Sequence, residues 1–235
     1  MATRLHRVGN FKSREMAQFY REGYSAVYST GAVGVVSRIL HQSLETGFSR
    51  EEHFSEVLEL GAGQGEHFPF VRHSFDRYLE TDLDSEQLVR GHKDRGSRVA
   101  QQQLDAQTME NVEPMSVDRL IVTCLLSHLP SPADALMRWR SVMATGGLIS
   151  LYLPHEPGWA LRTSQAFFTA RKTQRLGLDY WYAHYREHPF HFPFLRLAVQ
   201  RCFIRDNVKA FSFPLSGWPW SMNLWTVFQI RISGN

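Results

Sequence analysis

The residues best placed to do chemistry are Glu59-Leu60-Gly61-Ala62-Gly63-Gln64-Gly65, which follow a short apolar run. Glycines at alternate positions let a backbone turn tightly and approach a ligand closely. A dinucleotide fingerprint would place a third glycine where this chain has Glu66, and a carboxylate beside a pyrophosphate is repulsive. The loop therefore suits a nucleoside ligand that carries positive charge and no phosphates. Glu59, two residues before the first glycine, would meet such a ligand's cationic groups, or else cap a turn.

Two further acids fall at the ends of the next two expected strands. Asp82, one β-α-β unit on, is placed to accept hydrogen bonds from both hydroxyls of a ribose, with Leu83 beside it. Asp105, followed by Ala106, is placed to accept from an adenine amine. Each acid alone could equally cap the element that follows it. Acids at three successive strand ends behind a glycine loop point instead to a ligand across the carboxyl edge of an open α/β sheet.

Histidines form a second set. His155-Glu156 lies just past the fifth expected strand, and His184, Glu187, His188 and His191 fall within HYREHPFH. His155, His188 and His191 are the candidates for a general base acting on a substrate hydroxyl or amine, since histidine titrates near neutral pH. A structural hydrogen bond is the alternative for each. His184 and His188 stand four apart and would share a helix face, but this spacing alone is not a zinc pattern, and no metal is expected. Tyr20, Tyr24, Tyr28, His128, Glu156, Trp159 and Tyr185 are the candidate substrate contacts. The many aromatics of the same region would enclose an acceptor, or pack the region's own core.

The elements that must position these groups alternate along the chain. Helices are expected at 14–24 and 31–45, a buried strand ending in the glycine loop, then a helix at 66–74, a strand at 76–82 and a helix at 85–92. A weak strand at 97–105, a stronger one at 118–126, a helix at 131–143 and a strand at 146–154 continue the rhythm. Strands alternating with helices imply a parallel sheet covered on both faces. Residues 155–205 break the pattern, and 208–215 and 223–232 read as a closing antiparallel hairpin. The fold class is thus α/β: a Rossmann-like, seven-stranded, mostly parallel sheet with an antiparallel C-terminal hairpin and helices on both faces. It forms a single domain over 1–235, with an N-terminal helical cap over 1–50 and a helical substrate-binding insertion over 155–205.

Composition narrows the partners. The chain has 235 residues, 43% hydrophobic and 21% charged, which excludes wholesale disorder. A net charge of +3 is too small to imply nucleic acid without a concentrated basic patch. The clusters Arg138/Arg140 and Arg171/Lys172/Arg175 read as solvated helix faces. No stretch approaches the roughly 20 apolar residues that span a bilayer, and the first residues carry no apolar run of signal-peptide length. Cys124 and Cys202 share no metal or redox spacing and are expected as free thiols. These features lead us to expect a cytoplasmic protein without a membrane span.

The order ELGAGQG, ETD, LDAQ, DRLIVTCLLSHLPSPADAL, MATGGLISLYLP, over roughly residues 55–155, resembles the class I S-adenosylmethionine-dependent methyltransferases. The resemblance implies S-adenosyl-L-methionine as cofactor, with contacts from Glu59, Gly61, Ala62, Gly63 and Gly65, a ribose acid at Asp82 and an adenine-side pair at Asp105 and Ala106. It also implies that Thr123 and Cys124 line the methionine part. Many members carry Asn near Thr123, and this chain departs there. The tail, EHPFHFPFLRLAVQRCF, FSFPL and NLWTVFQIRI, is similar to a subgroup of small-molecule methyltransferases from bacterial surface-sugar and secondary-metabolite pathways. The implied activity is methyl transfer to an O or N atom of a small molecule. A protein or lipid-headgroup acceptor, or a non-catalytic cofactor-binding module, is the alternative. A nucleic-acid acceptor is not expected, because TCLLS stands where a DPPY- or NPPY-type motif would follow the fourth strand.

Overall fold

The computed structural model describes residues 30–91, 95–175 and 179–234. The expected helix at 14–24 and Tyr20, Tyr24 and Tyr28 lie outside the described residues. Among the described residues no helix is long and apolar enough to cross a membrane.

Seven strands form one sheet: β1 His53–Leu60, β2 Ser74–Asp82, β3 Val99–Gln103, β4 Val117–Val122, β5 Met143–Pro154, β6 Asn207–Phe213 and β7 Trp225–Arg231. Their order is β3-β2-β1-β4-β5-β7-β6. The pairings β1–β2, β1–β4, β2–β3 and β4–β5 are parallel. β7 runs antiparallel to both β5 and β6, which is the expected C-terminal hairpin inserted beside β5. The strand order reverses between β1 and β4, and such a switch point opens a crevice at the carboxyl edge.

Both faces are covered. α1 Gly31–Leu44 packs Leu40 and Leu44 against Tyr152, Trp225 and Val227. α2 Ser85–Gly91 follows β2, and α3 Pro132–Val142 sits on the opposite face. α3 buries Ala135, Leu136 and Trp139 in the main core with Leu58, Leu60, Leu120 and Ile149.

The expected helix at 66–74 does not form; a single 3-10 turn, Phe68–Phe70, replaces it. Pro69 disfavours a helical conformation at Phe68, and the aromatic side chains find partners one by one. Phe68 packs edge-on against Tyr78 at 5.2 Å, and Phe70 stacks on His41 at 5.2 Å.

Beneath this irregular crossover lies a buried polar cluster. Arg119, at the centre of β4, pairs with Glu45, and both side chains are fully buried. Glu45 also meets His67 at 3.3 Å and accepts the Arg72 backbone N–H at 3.1 Å. The Arg119 guanidinium lies 3.9 Å over the Phe48 ring, a cation–π contact.

The 155–205 region divides in two. α4 Trp159–Ser164, a π-helical turn Gln165–Thr169, α5 Ala170–Gln174 and α6 Tyr180–Glu187 form its outer part. α7 Phe192–Cys202 is a sheet-covering helix, its Phe192, Leu195, Ala198 and Val199 buried in the main core. The last third of the expected insertion is therefore part of the domain's framework.

Candidate active site

The glycine loop leaves β1 with Gly61, Gly63 and Gly65 at φ values of 68°, 57° and 74°. That left-handed region strains any residue with a Cβ. The turn is held by Ala62 N–H donating to Thr81 O at 2.8 Å and Gly65 N–H to Ala62 O at 2.7 Å. A Cβ on Gly61 would meet Leu125 at 3.3 Å, so the segment after β4 lies directly against the loop. Leu125 was not among the residues singled out from sequence, and no local pattern marks it.

Asp82, at the end of β2, reaches into this turn. Its Oδ2 accepts the Gly63 N–H at 3.0 Å, and its Oδ1 accepts the Asp84 N–H at 2.9 Å. Each carboxylate oxygen keeps lone-pair capacity for another donor. Leu83 is 59% exposed, an apolar side chain left open beside the acid. Asp105 lies two residues beyond β3 and turns its Oδ1 onto the Gln107 N–H at 2.8 Å, the local-turn role allowed for it from sequence. Ala106 is buried, with its carbonyl accepting the Trp139 indole N–H at 2.8 Å.

Glu59 is 1% exposed. Its Oε2 accepts the Tyr78 hydroxyl at 2.6 Å, and its Oε1 has no hydrogen-bond partner among the described residues. Burial pushes the carboxyl up to about 8. Glu80, its register partner on β2, instead pairs with Arg95. Glu66 folds back so that its Oε2 accepts the Gln64 N–H at 3.0 Å, and burial raises its pKa as well. The unpartnered buried oxygen of Glu59 can accept a hydrogen bond from a cationic ligand, whose charge would in turn favour the ionised carboxylate. S-adenosyl-L-methionine, with its sulfonium and ammonium, is such a ligand.

Thr123 and Cys124 follow β4, with Cys124 at φ 48°. Burial, and then the Glu156 charge, push the Cys124 thiol up to about 12, which disfavours its thiolate. β5 runs parallel beside β4, with Leu151 paired to Val122, so Cys124 and Glu156 both follow strand ends on the same edge.

The β5 end separates two neighbours. His155 is fully buried; its Nδ1 meets the Trp220 carbonyl at 2.6 Å and its Nε2 meets Thr226 Oγ1 at 2.6 Å. Desolvation lowers it to about 4. With both nitrogens engaged inside the fold, His155 is not presented to a substrate. Glu156, 6% exposed, points the other way. Its Oε2 lies 2.7 Å from His188 Nδ1 and its Oε1 lies 3.1 Å from His184 Nε2. The two histidines hold its carboxyl well below the usual carboxylate range, against the opposing effect of burial. His128 joins from the segment after β4, its ring edge-on to His188 at 4.3 Å. The structure thus brings His128, Glu156 and His188 together and adds His184, whose signal in the sequence was its i, i+4 spacing from His188. His191 stands at the N-cap position of α7 on the exposed surface, without a side-chain capping bond. Trp159 is 69% exposed at the start of α4, and Tyr185 stacks on Trp181 at 5.8 Å.

Residues 58–151 match the family described as "Methyltransferase domain". Among solved structures, the carbon methyltransferase of CurJ superposes with a TM-score of 0.64 at 15% identity, covering 92% of this chain and 59% of that one. Phosphoethanolamine N-methyltransferase 2 of Haemonchus contortus, in complex with S-adenosyl-L-methionine, gives 0.60 at 13%, covering 97% of this chain and 59% of that one. An S-adenosylmethionine-dependent methyltransferase from Mesorhizobium loti gives 0.55 at 13%, covering 80% of this chain and 95% of that one. The chain thus spans 59% of the length of the first two of these structures. No curated protein matches the chain in sequence. The matched segment contains the glycine loop and the acids Glu59, Asp82 and Asp105. Residues 58–151 thus match a methyltransferase domain, and the chain has the fold of S-adenosylmethionine-dependent methyltransferases of known structure.

Proposed function

We propose that the protein transfers the methyl group of S-adenosyl-L-methionine to an O or N atom of a small-molecule acceptor, held where Glu156, His184 and His188 converge. The observation that carries this reading is the position of that cluster. Leu125 lies against Gly61, and His128, three residues on, packs on His188, which meets Glu156. The polar cluster is therefore one loop away from the cofactor cradle on the carboxyl edge.

In this reading Gly61, Ala62, Gly63 and Gly65 let the backbone approach the cofactor, and Glu59 faces its positive charge. Asp82 accepts the ribose hydroxyls, Leu83 covers the adenine, and Asp105 and Ala106 flank the base. Thr123 and Cys124 border the methionine part. The cofactor supplies an already activated methyl group, so the protein's work is to align the acceptor atom and keep water away. The Glu156–His184–His188 group receives the acceptor's hydroxyl or amine and favours loss of its proton. Trp159 and Tyr185 form the outer wall.

The test is a methyl-labelled cofactor incubated with panels of sugar and phenol hydroxyl compounds and small amines, alongside protein and phospholipid fractions. Label should enter a small molecule. His188→Ala should lower that turnover by about 10²-fold or more while cofactor affinity stays unchanged. Label entering only the protein or lipid fraction, or full turnover in His188→Ala, overturns the reading.

A further inference from the structure

The Glu156–His184–His188 cluster has a feature that acceptor binding alone does not require: each residue offers one good metal-ligand atom, and the three atoms lie within 4.8 Å of one another. Two elements bring them together. Glu156 is fixed just past β5, where its carbonyl accepts the Phe192 N–H at 2.8 Å. His184 lies in the last turn of α6 and His188 caps it, its N–H donating to the His184 carbonyl at 3.0 Å. Histidines four apart on one helical face are a spacing that lets both imidazoles reach one ion.

The imidazoles are also held from outside. Tyr180 stacks on His184 at 5.1 Å, nearly parallel, while Gln165 Nε2 approaches the ligand nitrogen His184 Nε2 itself at 3.3 Å and would give way to an ion there. Gln165 opens the π-helical turn Gln165–Thr169, an irregularity that helices often carry at functional positions. His128 buttresses His188 at 4.3 Å. Ring contacts of this kind lock imidazole orientation, as a metal site's outer partners do.

We propose that Glu156, His184 and His188 form a binding site for one divalent first-row transition metal ion, with zinc the ion of first choice. Two imidazole nitrogens and one carboxylate oxygen are the donor set of open zinc sites, with a fourth position for a water or substrate. Zinc–ligand bonds of about 2.0–2.1 Å in a tetrahedron set neighbouring ligand atoms about 3.3 Å apart. The His184–Glu156 separation of 3.1 Å is within a few tenths of that, and the His188–Glu156 separation of 2.7 Å reaches it by a small χ rotation. Methyl transfer from a sulfonium changes no metal oxidation state, so a redox-inert ion serves. The fourth position would be open to the acceptor. There the ion would take the acceptor's O or N atom as its fourth ligand and lower the pKa of a hydroxyl bound to it. That role rests on the acceptor reading above; the binding site does not.

The test uses the purified full chain, stripped with a chelator and reloaded with Zn²⁺ or Co²⁺. Elemental analysis should find one ion per chain, and Co²⁺ should give the visible bands of a four- or five-coordinate nitrogen–oxygen site. Glu156→Gln, His184→Ala and His188→Ala should each weaken Co²⁺ binding by more than the roughly 10–100-fold that an outer-shell change costs. His191→Ala should leave it intact, and unchanged cofactor affinity in every variant shows that the fold survives. Absence of stoichiometric metal, or Co²⁺ bands that survive in the three variants, overturns the site. If His188→Ala loses turnover in a protein that holds no metal, the metal proposal falls and the acceptor reading stands. If the ion binds but labelling places the acceptor in protein or lipid, the metal site stands and the acceptor reading falls.

Discussion

Asp82 accepts the Gly63 backbone N–H at 3.0 Å, which ties the acid proposed to bind the ribose and the glycine loop into one hydrogen-bonded unit. The carboxylate that would meet the cofactor also sets the turn the cofactor rests on. Loss of either partner should therefore disturb both.

Asp82→Ala should weaken S-adenosyl-L-methionine binding by about tenfold or more, because each charge-assisted bond is worth about 1.5–3 kcal/mol and 1.4 kcal/mol is a factor of ten. Gly63→Val should abolish binding outright. Its φ of 57° strains any side chain, and the new Cβ would sit 3.0 Å from the Glu66 carboxylate. Titration calorimetry on both variants checks this; normal affinity with an earlier melt in Asp82→Ala would make Asp82 a turn cap only.

Glu59 should make the cofactor-free protein less stable as pH rises. Its folded pKa, raised to about 8 by burial, lies above the ordinary value of 4.5. The folded state thus holds a proton that the unfolded chain has released. The contribution is fully present below about pH 4.5 and is lost as pH rises through 8. Glu59→Gln removes the ionisation and keeps an acceptor for Tyr78. Melting curves from pH 6 to 9 should show the wild-type midpoint dropping while that of Glu59→Gln stays flatter.

The buried Glu45–Arg119 pair should be costly to break and cheap to replace. Glu45→Ala leaves the guanidinium uncompensated in the core and should cost about 3–5 kcal/mol. Two Arg119 nitrogens already lack partners among the described residues. The double variant Glu45→Leu, Arg119→Met should recover most of that loss in urea unfolding. The pair also has a pH signature. Desolvation of Glu45 is outweighed by the His67 hydrogen bond and the Arg119 charge, and its pKa falls to about 2. Stability from this shift is present above pH 4.5 and lost as pH falls toward 2.

His155→Ala should destabilise the fold without a selective loss of turnover, which separates it from His188. The ring bonds Trp220 and Thr226 and packs on Phe192 at 4.0 Å. Its pKa, lowered to about 4 by burial, means that the unfolded chain gains a proton first as pH falls. The contribution is therefore present above about pH 6.5 and is lost on acidification toward 4. Denaturant midpoints and initial rates measured on one preparation decide it. A 10²-fold drop in turnover at unchanged stability would restore His155 as a base.

The glycine loop, the strand-end acids and the α/β class were legible in the sequence because they are local. A short apolar run ending in glycines declares a buried strand and its turn. In a parallel sheet each crossover returns the chain to the same edge, so acids one unit apart come side by side without further information. The closing hairpin was legible for the same reason, as two strands within a few residues of each other.

What lies beyond that edge was decided by packing between distant residues. His155 and Glu156 are neighbours in sequence, yet one is sealed by Trp220 and Thr226, 65 and 71 residues away, and the other meets His188, 32 residues away. The helix expected at 66–74 gave way to a loop over a buried ion pair whose partners stand 74 residues apart. α7 was read as part of an insertion and instead covers the sheet, since its apolar stripe has Leu120 and Ile149 of the main core to pack on. Periodicity states that a side chain is apolar or polar and which face it takes. Which partner waits on that face depends on how the whole sheet and its covering helices close around it, and only the tertiary structure supplied that.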